Sequence, residues 1–343
     1  MVTSRTDPYR SGVTNSEPTI PVLGVGNALV DVISEEHDSL IVELGLEKNA
    51  MQLIDEERMA VIYDAMGQAI ETSGGSAANT MAGLASFGVQ GHFIGRVRDD
   101  QLGRIFAHDI RSIGVGFTSP MRDHGPATGC CLVLVTPDAH RTMNTFLGSA
   151  ALLDPLDIDA DVVSAAALTY LEGYLFDMPE AQDAFRSAAQ IAHSSGRSVA
   201  LTLSDLFCVE RHHDAFVDLV DHHVDMLFAN ESEICSLVGT DDPVAAARQV
   251  SASCPLVVVT LGEHGAIVVG RDGQEARVPA EPVELVDTTG AGDQFAAGFL
   301  AGWSTGRDLE TSARFGAVAA AECIGHIGPR PAASLADLVV GLS

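Results

Sequence analysis

A chain of 343 residues, 46% of them hydrophobic, holds enough apolar side chains for one large core with an added lobe, which excludes disorder as its main character. Its 47 acidic residues against 19 basic ones leave a net charge of −28, and this argues against nucleic acid, because a phosphate backbone needs a basic surface to release its counterions. The same field repels a free nucleotide, so any phosphate site must draw on local dipoles, a few arginines and a metal ion.

No apolar run approaches the roughly 20 residues of a membrane span. Residues 1–16 carry no apolar stretch of signal type, and the chain is read as cytoplasmic, without a membrane partner. Six cysteines show no Cys-x-x-Cys pair, and Cys130 and Cys131 are adjacent in an apolar run, which suits reduced core thiols. Lys48 is the sole lysine and lies away from any glycine-rich loop, so Schiff-base chemistry and a P-loop lysine are set aside.

In chain order, residues 1–19 are polar and rich in Ser, Thr and Pro, which suggests a flexible leader before one folded domain, 20–343. Residues 22–26 read as a buried strand, 76–87 as a helix ended by Gly88, and 92–97 as another strand. Farther on, 167–171, 198–203, 225–229 and 256–260 are strand-like runs separated by long helical stretches. That alternation predicts an α/β fold: a doubly wound, mostly parallel sheet with helices on both faces. Segments at about 35–55 and 126–148 break the rhythm with short alternating runs such as 128–136 and 142–147, and are expected to form a small antiparallel β lid over the sheet edge.

The most specific string is Asp287-Thr288-Thr289-Gly290-Ala291-Gly292-Asp293, which opens an apolar helical run. Small residues at Gly290, Ala291 and Gly292 let a ligand approach the backbone, and the free amides of a helix start attract an anion. Asp293 stands at the mouth of that anion hole, placed to take a proton from a hydroxyl while the hole holds a migrating phosphoryl group. The alternative is a plain turn in which Asp293 caps the helix. Near the N-terminus Gly74 and Gly75 precede a helix that carries Asn79, a side chain able to give and take hydrogen bonds. A strand ending at residue 229 delivers Asn230 and Glu233 to the carboxyl edge of the sheet, where ligands of open α/β folds bind, although Asn-x-x-Glu is also an ordinary helix start.

These strings together resemble the PfkB or ribokinase-like family of carbohydrate and nucleoside kinases, over most of the chain. The resemblance implies a ribokinase-like fold and transfer of the γ-phosphoryl group of ATP to a hydroxyl, with Asp293 as base. It implies that Gly74, Gly75 and Asn79 contact the acceptor's hydroxyls, and that Asn230 and Glu233 organise Mg2+ through water beside the ATP phosphates. Thr260, Gly262 and Gly265 match the family's ATP-binding turn, and Arg141 an arginine that closes on the phosphates. K+ held through carbonyls of Asp287 and Thr289 is implied in the same way.

Asn27 and Asp31, in Gly26-Asn27-Ala28-Leu29-Val30-Asp31, resemble the nucleoside-contacting start of the adenosine-kinase branch, and Tyr174 lines up with an aromatic that stacks on the purine. The expected reaction is phosphorylation of the 5′-hydroxyl of adenosine or a related purine nucleoside. A sugar kinase acting on ribose, fructose or a 2-keto-3-deoxy sugar acid is the alternative, and a silent sugar- or nucleoside-binding sensor the third. Monomer and homodimer are both open. Gly24-x-Gly26 lacks the third glycine of a dinucleotide fingerprint, and the pairs His212/His213 and His222/His223 flank an amphipathic stretch that suits a solvated helix better than a metal site.

Overall fold

The computed structural model describes residues 17–138 and 140–342; most of the expected leader, 1–19, lies outside the described residues. Apolar, β-branched runs such as Leu256–Thr260 are the strands of a nine-stranded sheet, buried on both faces as parallel strands must be. Its spatial order is Glu275–Val278, Ala266–Gly270, Leu256–Thr260, Met226–Asn230, Ser198–Thr202, Ala166–Glu172, Ile20–Val25, Gly91–Ile94 and Gly116–Phe117. All neighbours from Leu256–Thr260 onward pair in parallel, and the first two strands add an antiparallel hairpin at one edge.

Side chains alternate between the faces, so Val22 and Leu168 join one apolar core while Leu23 and Leu171 join another. The first core is closed by the helices Ser76–Ser86, Ala291–Ser304 and Leu309–Ile324. The second is closed by Pro179–Ser194, His213–His223, Glu231–Val238 and Pro243–Val250. This is the expected doubly wound arrangement.

The lid is larger than the sequence pattern suggested. It is a five-stranded sheet in the order Met51–Leu53, Arg141–Phe146, Gly129–Val135, Leu29–Glu35 and Ala69–Gly74, so two strands lie outside the expected segments. It is also mixed rather than purely antiparallel, since Leu29–Glu35 pairs in parallel with Gly129–Val135 and Met51–Leu53 in parallel with Arg141–Phe146. Part of the region 35–55 is the short helix Asp38–Glu43 instead of strand. The period of two decides which lid residues meet the site. Val30, Val32, Cys130, Leu132 and Leu134 point to a core with the helices Glu56–Ala65 and Gln101–Ser112, whereas Leu29, Asp31, Cys131 and Val133 line a cleft. Across that inner face Asp31 pairs with Cys131, and Cys131 with Thr145.

Candidate active site

Between the lid and the carboxyl ends of the parallel strands runs a cleft of about 630 Å³. Strand ends supply Glu172, Thr202, Asn230 and Thr260, the lid supplies Asp31 and Arg141, and the loop and first turn of Ala291–Ser304 supply residues 288–293. Asn27, Gly75, Asn79, Tyr174 and Glu233 complete the set of expected site residues in its wall. Gly74, Gly262, Gly265 and Asp287 lie just outside the lining. Gly74 backs directly onto the Asp31 carboxylate, and Gly262 and Gly265 shape the turn that leads into Ala266–Gly270.

Gly75 caps the helix Ser76–Ser86 with φ at 104°, a conformation that favours glycine, and any Cβ there would stand 2.1 Å from the Asn27 carbonyl oxygen. That contact brings the loops at Asn27 and Gly75 together. On the next turn Ser76 Oγ donates to Asp293 Oδ1 (2.6 Å) and Asn79 Nδ2 donates to Asp293 Oδ2 (3.3 Å). Gln294, fully buried, donates to the carbonyls of Asn79 (3.0 Å) and Pro329 (2.9 Å), which ties the helix Ala291–Ser304 to the helix Ser76–Ser86.

Burial pushes the Asp293 carboxyl up to about 7; the Ser76 and Asn79 donors pull against this, and the charge of Asp31 adds to it. A carboxylate poised near neutrality in the first turn of a helix can take a proton from a hydroxyl, while the helix dipole favours an anion beside it; of the amides there, that of Ala291 donates to the Thr288 carbonyl (3.2 Å). Burial likewise raises Asp31 to about 6 against the pull of Arg330 and Arg141, and raises Glu233 to about 7.

Arg141 and Asp287 form a buried ion pair between lid and anion hole. Burial works to raise the Asp287 carboxyl, yet the amides of Gly328 (3.0 Å) and Thr289 (3.0 Å), with the Arg141 guanidinium, hold it below the usual range. The Thr289 carbonyl accepts from the Cys323 thiol (3.4 Å). Asn230 and Glu233 form a reciprocal capping box: Asn230 Oδ1 accepts from the Glu233 amide (2.9 Å), and the Glu233 oxygens accept from the Asn230 amide (2.9 Å) and Nδ2 (2.7 Å). The capping box leaves both side chains in the cleft wall. In its ionised form the Glu233 carboxylate keeps lone pairs at the cleft, and one buried carboxylate beside an amide fits a hydrated Mg2+ that takes its other ligands from phosphates and water.

Glu172 and Phe207 are among the cleft residues that escaped the sequence reading. Glu172 ends its strand as a lone carboxylate after six uncharged residues, a signal that was present but unused. Phe207, 68% exposed although aromatic, lines the cleft with Tyr174, which is 40% exposed. The histidine pairs are not part of the cleft lining: His212 contacts Asp177 (2.8 Å), itself a lining residue, His213 the Leu237 carbonyl (3.1 Å) and His222 the Asp218 carbonyl (2.9 Å). Among the described residues no group of three or more His, Cys, Asp or Glu side chains is arranged to hold a metal by itself, and no helix is long and apolar enough to cross a membrane. All six cysteines are unpaired.

Comparison with known proteins agrees with this geometry. The model of the pfkB family of carbohydrate kinases matches residues 45–335. An adenosine kinase of Saccharomyces cerevisiae is 32% identical over 336 residues, covering 91% of this chain and 96% of that protein. The solved structure of an adenosine kinase from Sinorhizobium meliloti shares 47% identity at a TM-score of 0.85, covering 94% of this chain and 99% of that one. A probable sugar kinase from Rhizobium etli shares 45% identity at 0.86, covering 95% and 100%. With a family match across most of its length and an anion hole opening onto a buried carboxylate, this chain belongs to the pfkB family of carbohydrate kinases, as an ATP-dependent kinase whose acceptor is a hydroxyl of a nucleoside or a sugar.

Proposed function

We propose that the chain phosphorylates the 5′-hydroxyl of adenosine or a related purine nucleoside, giving the nucleoside monophosphate and ADP. The observation that carries this reading is the pair of aromatic side chains, Tyr174 and Phe207, left exposed in the cleft wall. A flat base gains about 1–3 kcal/mol from stacking on such a ring, while a small polyhydroxy acid gains little. The likeness to the adenosine kinases of Saccharomyces cerevisiae and Sinorhizobium meliloti supports the same choice.

In this reading Asn27, Asp31, Gly75 and Asn79 hold the ribose, and Asp293 accepts the proton of the attacking hydroxyl. The amides of Gly290, Ala291 and Gly292 receive the charge of the transferring phosphoryl group, and Thr260 and Asn230 border the nucleotide. Magnesium bound with ATP would be held through its waters by Asn230 and Glu233 and would neutralise charge on the phosphates.

Colorimetric ADP release with adenosine, inosine, guanosine, ribose, fructose and a 2-keto-3-deoxy sugar acid tests the acceptor directly. Turnover of a sugar with none of the nucleosides would refute the nucleoside reading, and absence of ADP release with every acceptor would favour a silent sensor. Within the nucleoside reading, Tyr174→Ala is expected to raise the adenosine KM by about tenfold or more and leave the ATP KM nearly unchanged. Equal sensitivity of both substrates would sink the stacking role. Glu233→Gln should shift the magnesium titration of the rate to higher concentration with the acceptor KM little changed. An unaltered titration would remove Glu233 from the metal's surroundings.

A further inference from the structure

Glu172 is the single charged side chain of the strand Ala166–Glu172 and is 1% exposed. Its partners are three N–H groups: Oε2 accepts from the amides of Ala77 (2.8 Å) and Asn27 (3.3 Å), and Oε1 from the side-chain amide of Asn27 (2.7 Å). The fit is close, since a Cβ at Gly26 would stand 2.3 Å from Glu172 Oε2. A carboxylate can only accept, so Asn27 must turn its nitrogen toward Glu172. Its oxygen is then left buried without a donor. Asn79 is oriented in the same manner by Asp293, and its oxygen too is buried without a donor. Both asparagines line the cleft together with Asp31. Buried acceptors of this kind call for donors brought by a ligand.

We propose that Glu172 is a positioning residue for phosphoryl transfer, holding the Asn27 amide so that its carbonyl oxygen receives a hydroxyl of the acceptor. This rests on the reading that the acceptor's hydroxyls lie at the Asp31 end of the cleft. Glu172 acts through Asn27 and sets a polarity: carboxylates behind both asparagines make this end of the cleft accept hydrogen bonds. In Glu172→Gln the new oxygen takes the two backbone amides and the new NH2 faces Asn27. The Asn27 amide then turns over and offers N–H groups where the hydroxyl needs an acceptor.

The test uses the full chain at about pH 8, above the value of about 7 to which burial raises the Glu172 carboxyl. The acceptor is whichever of adenosine, D-ribose and D-fructose the wild type phosphorylates fastest. Glu172→Gln is expected to raise the acceptor KM about tenfold or more with the ATP KM unchanged. Combining it with Asn27→Asp restores an acceptor opposite the hydroxyl and should bring that KM back to within about threefold of wild type, a coupling that a merely structural residue lacks. Asn27→Asp alone sets two carboxylates face to face and is expected to do worse than the double variant. An unchanged acceptor KM in Glu172→Gln, or absence of rescue, overturns the proposal.

Asp31→Ala separates the two layers. A loss there with Glu172→Gln unaffected overturns the role of Glu172 alone, whereas indifference in both overturns the acceptor's placement as well. Should Glu172→Gln fail to fold, Asn27→Ala removes the presented oxygen by itself, and an unchanged acceptor KM in it overturns the proposal. Independently of any acceptor, the Asn27 side-chain amide should exchange slowly with solvent in the wild type and quickly in Glu172→Gln, as read by ¹H–¹⁵N NMR. Equal protection in both contradicts the proposal.

Discussion

Asp293→Asn is expected to lower turnover by about 10²-fold or more while ATP and acceptor still bind, because the amide keeps the shape of the carboxylate and loses its capacity to take a proton. Ser76 and Asn79 keep a partner in the variant, so folding should survive. The pH dependence follows from the same group. Burial lifts the Asp293 carboxyl to about 7, and only its ionised form is a base, so kcat/KM should fall as pH drops below neutrality and level off above it. Glu172 and Glu233 are pushed into the same range by burial, so the acid limb belongs to the coupled site rather than to one side chain. The residual rate of Asp293→Asn should therefore have a shallower limb than the wild type. Near-normal turnover in the variant would remove Asp293 from the role of base.

The second large effect is expected at Arg141. Arg141→Ala should lower turnover by about 10²-fold and raise the hydrolysis of ATP in the absence of acceptor. Two consequences of the ion pair with Asp287 lead there. The guanidinium joins the lid strand Arg141–Phe146 to the first residue of the anion-hole loop, so its loss unfastens the lid and admits water. It also leaves a buried carboxylate without its cation, at a cost of about 3 kcal/mol, although the Gly328 and Thr289 amides still bond to Asp287. Thermal unfolding should show the stability loss, and ADP release with and without acceptor should show the other two. Arg141→Lys keeps a charge but not the fork, and is expected to recover stability better than turnover. A variant whose coupled and uncoupled rates both match the wild type would exclude Arg141 from closure.

What was legible in the sequence shares one property: it is built from neighbours along the chain. The candidate anion hole is a run of neighbours at the start of Ala291–Ser304, so a seven-residue string is enough to suggest it. Parallel strands buried on both faces announce themselves as apolar runs, and Leu256–Thr260 has the same bounds in the sequence pattern and the structure. The Asn230–Glu233 capping box is likewise local, and its two readings, helix start and cleft wall, proved compatible.

Tertiary structure decided what depends on desolvation and on pairing between distant segments. Leu29–Glu35 and Ala69–Gly74 joined the lid because each found a partner strand, and no local pattern names such a partner. Ser76 reaches Asp293 from 217 residues away, and only that enclosure, with the water it excludes, brings an ordinary aspartate to neutrality. Glu172 lies one residue beyond the strand run 167–171 of the sequence pattern; the role proposed for it depends on folding that brings Asn27 and Ala77 around it, because a carboxylate's orienting power depends on which N–H groups it meets once water is gone.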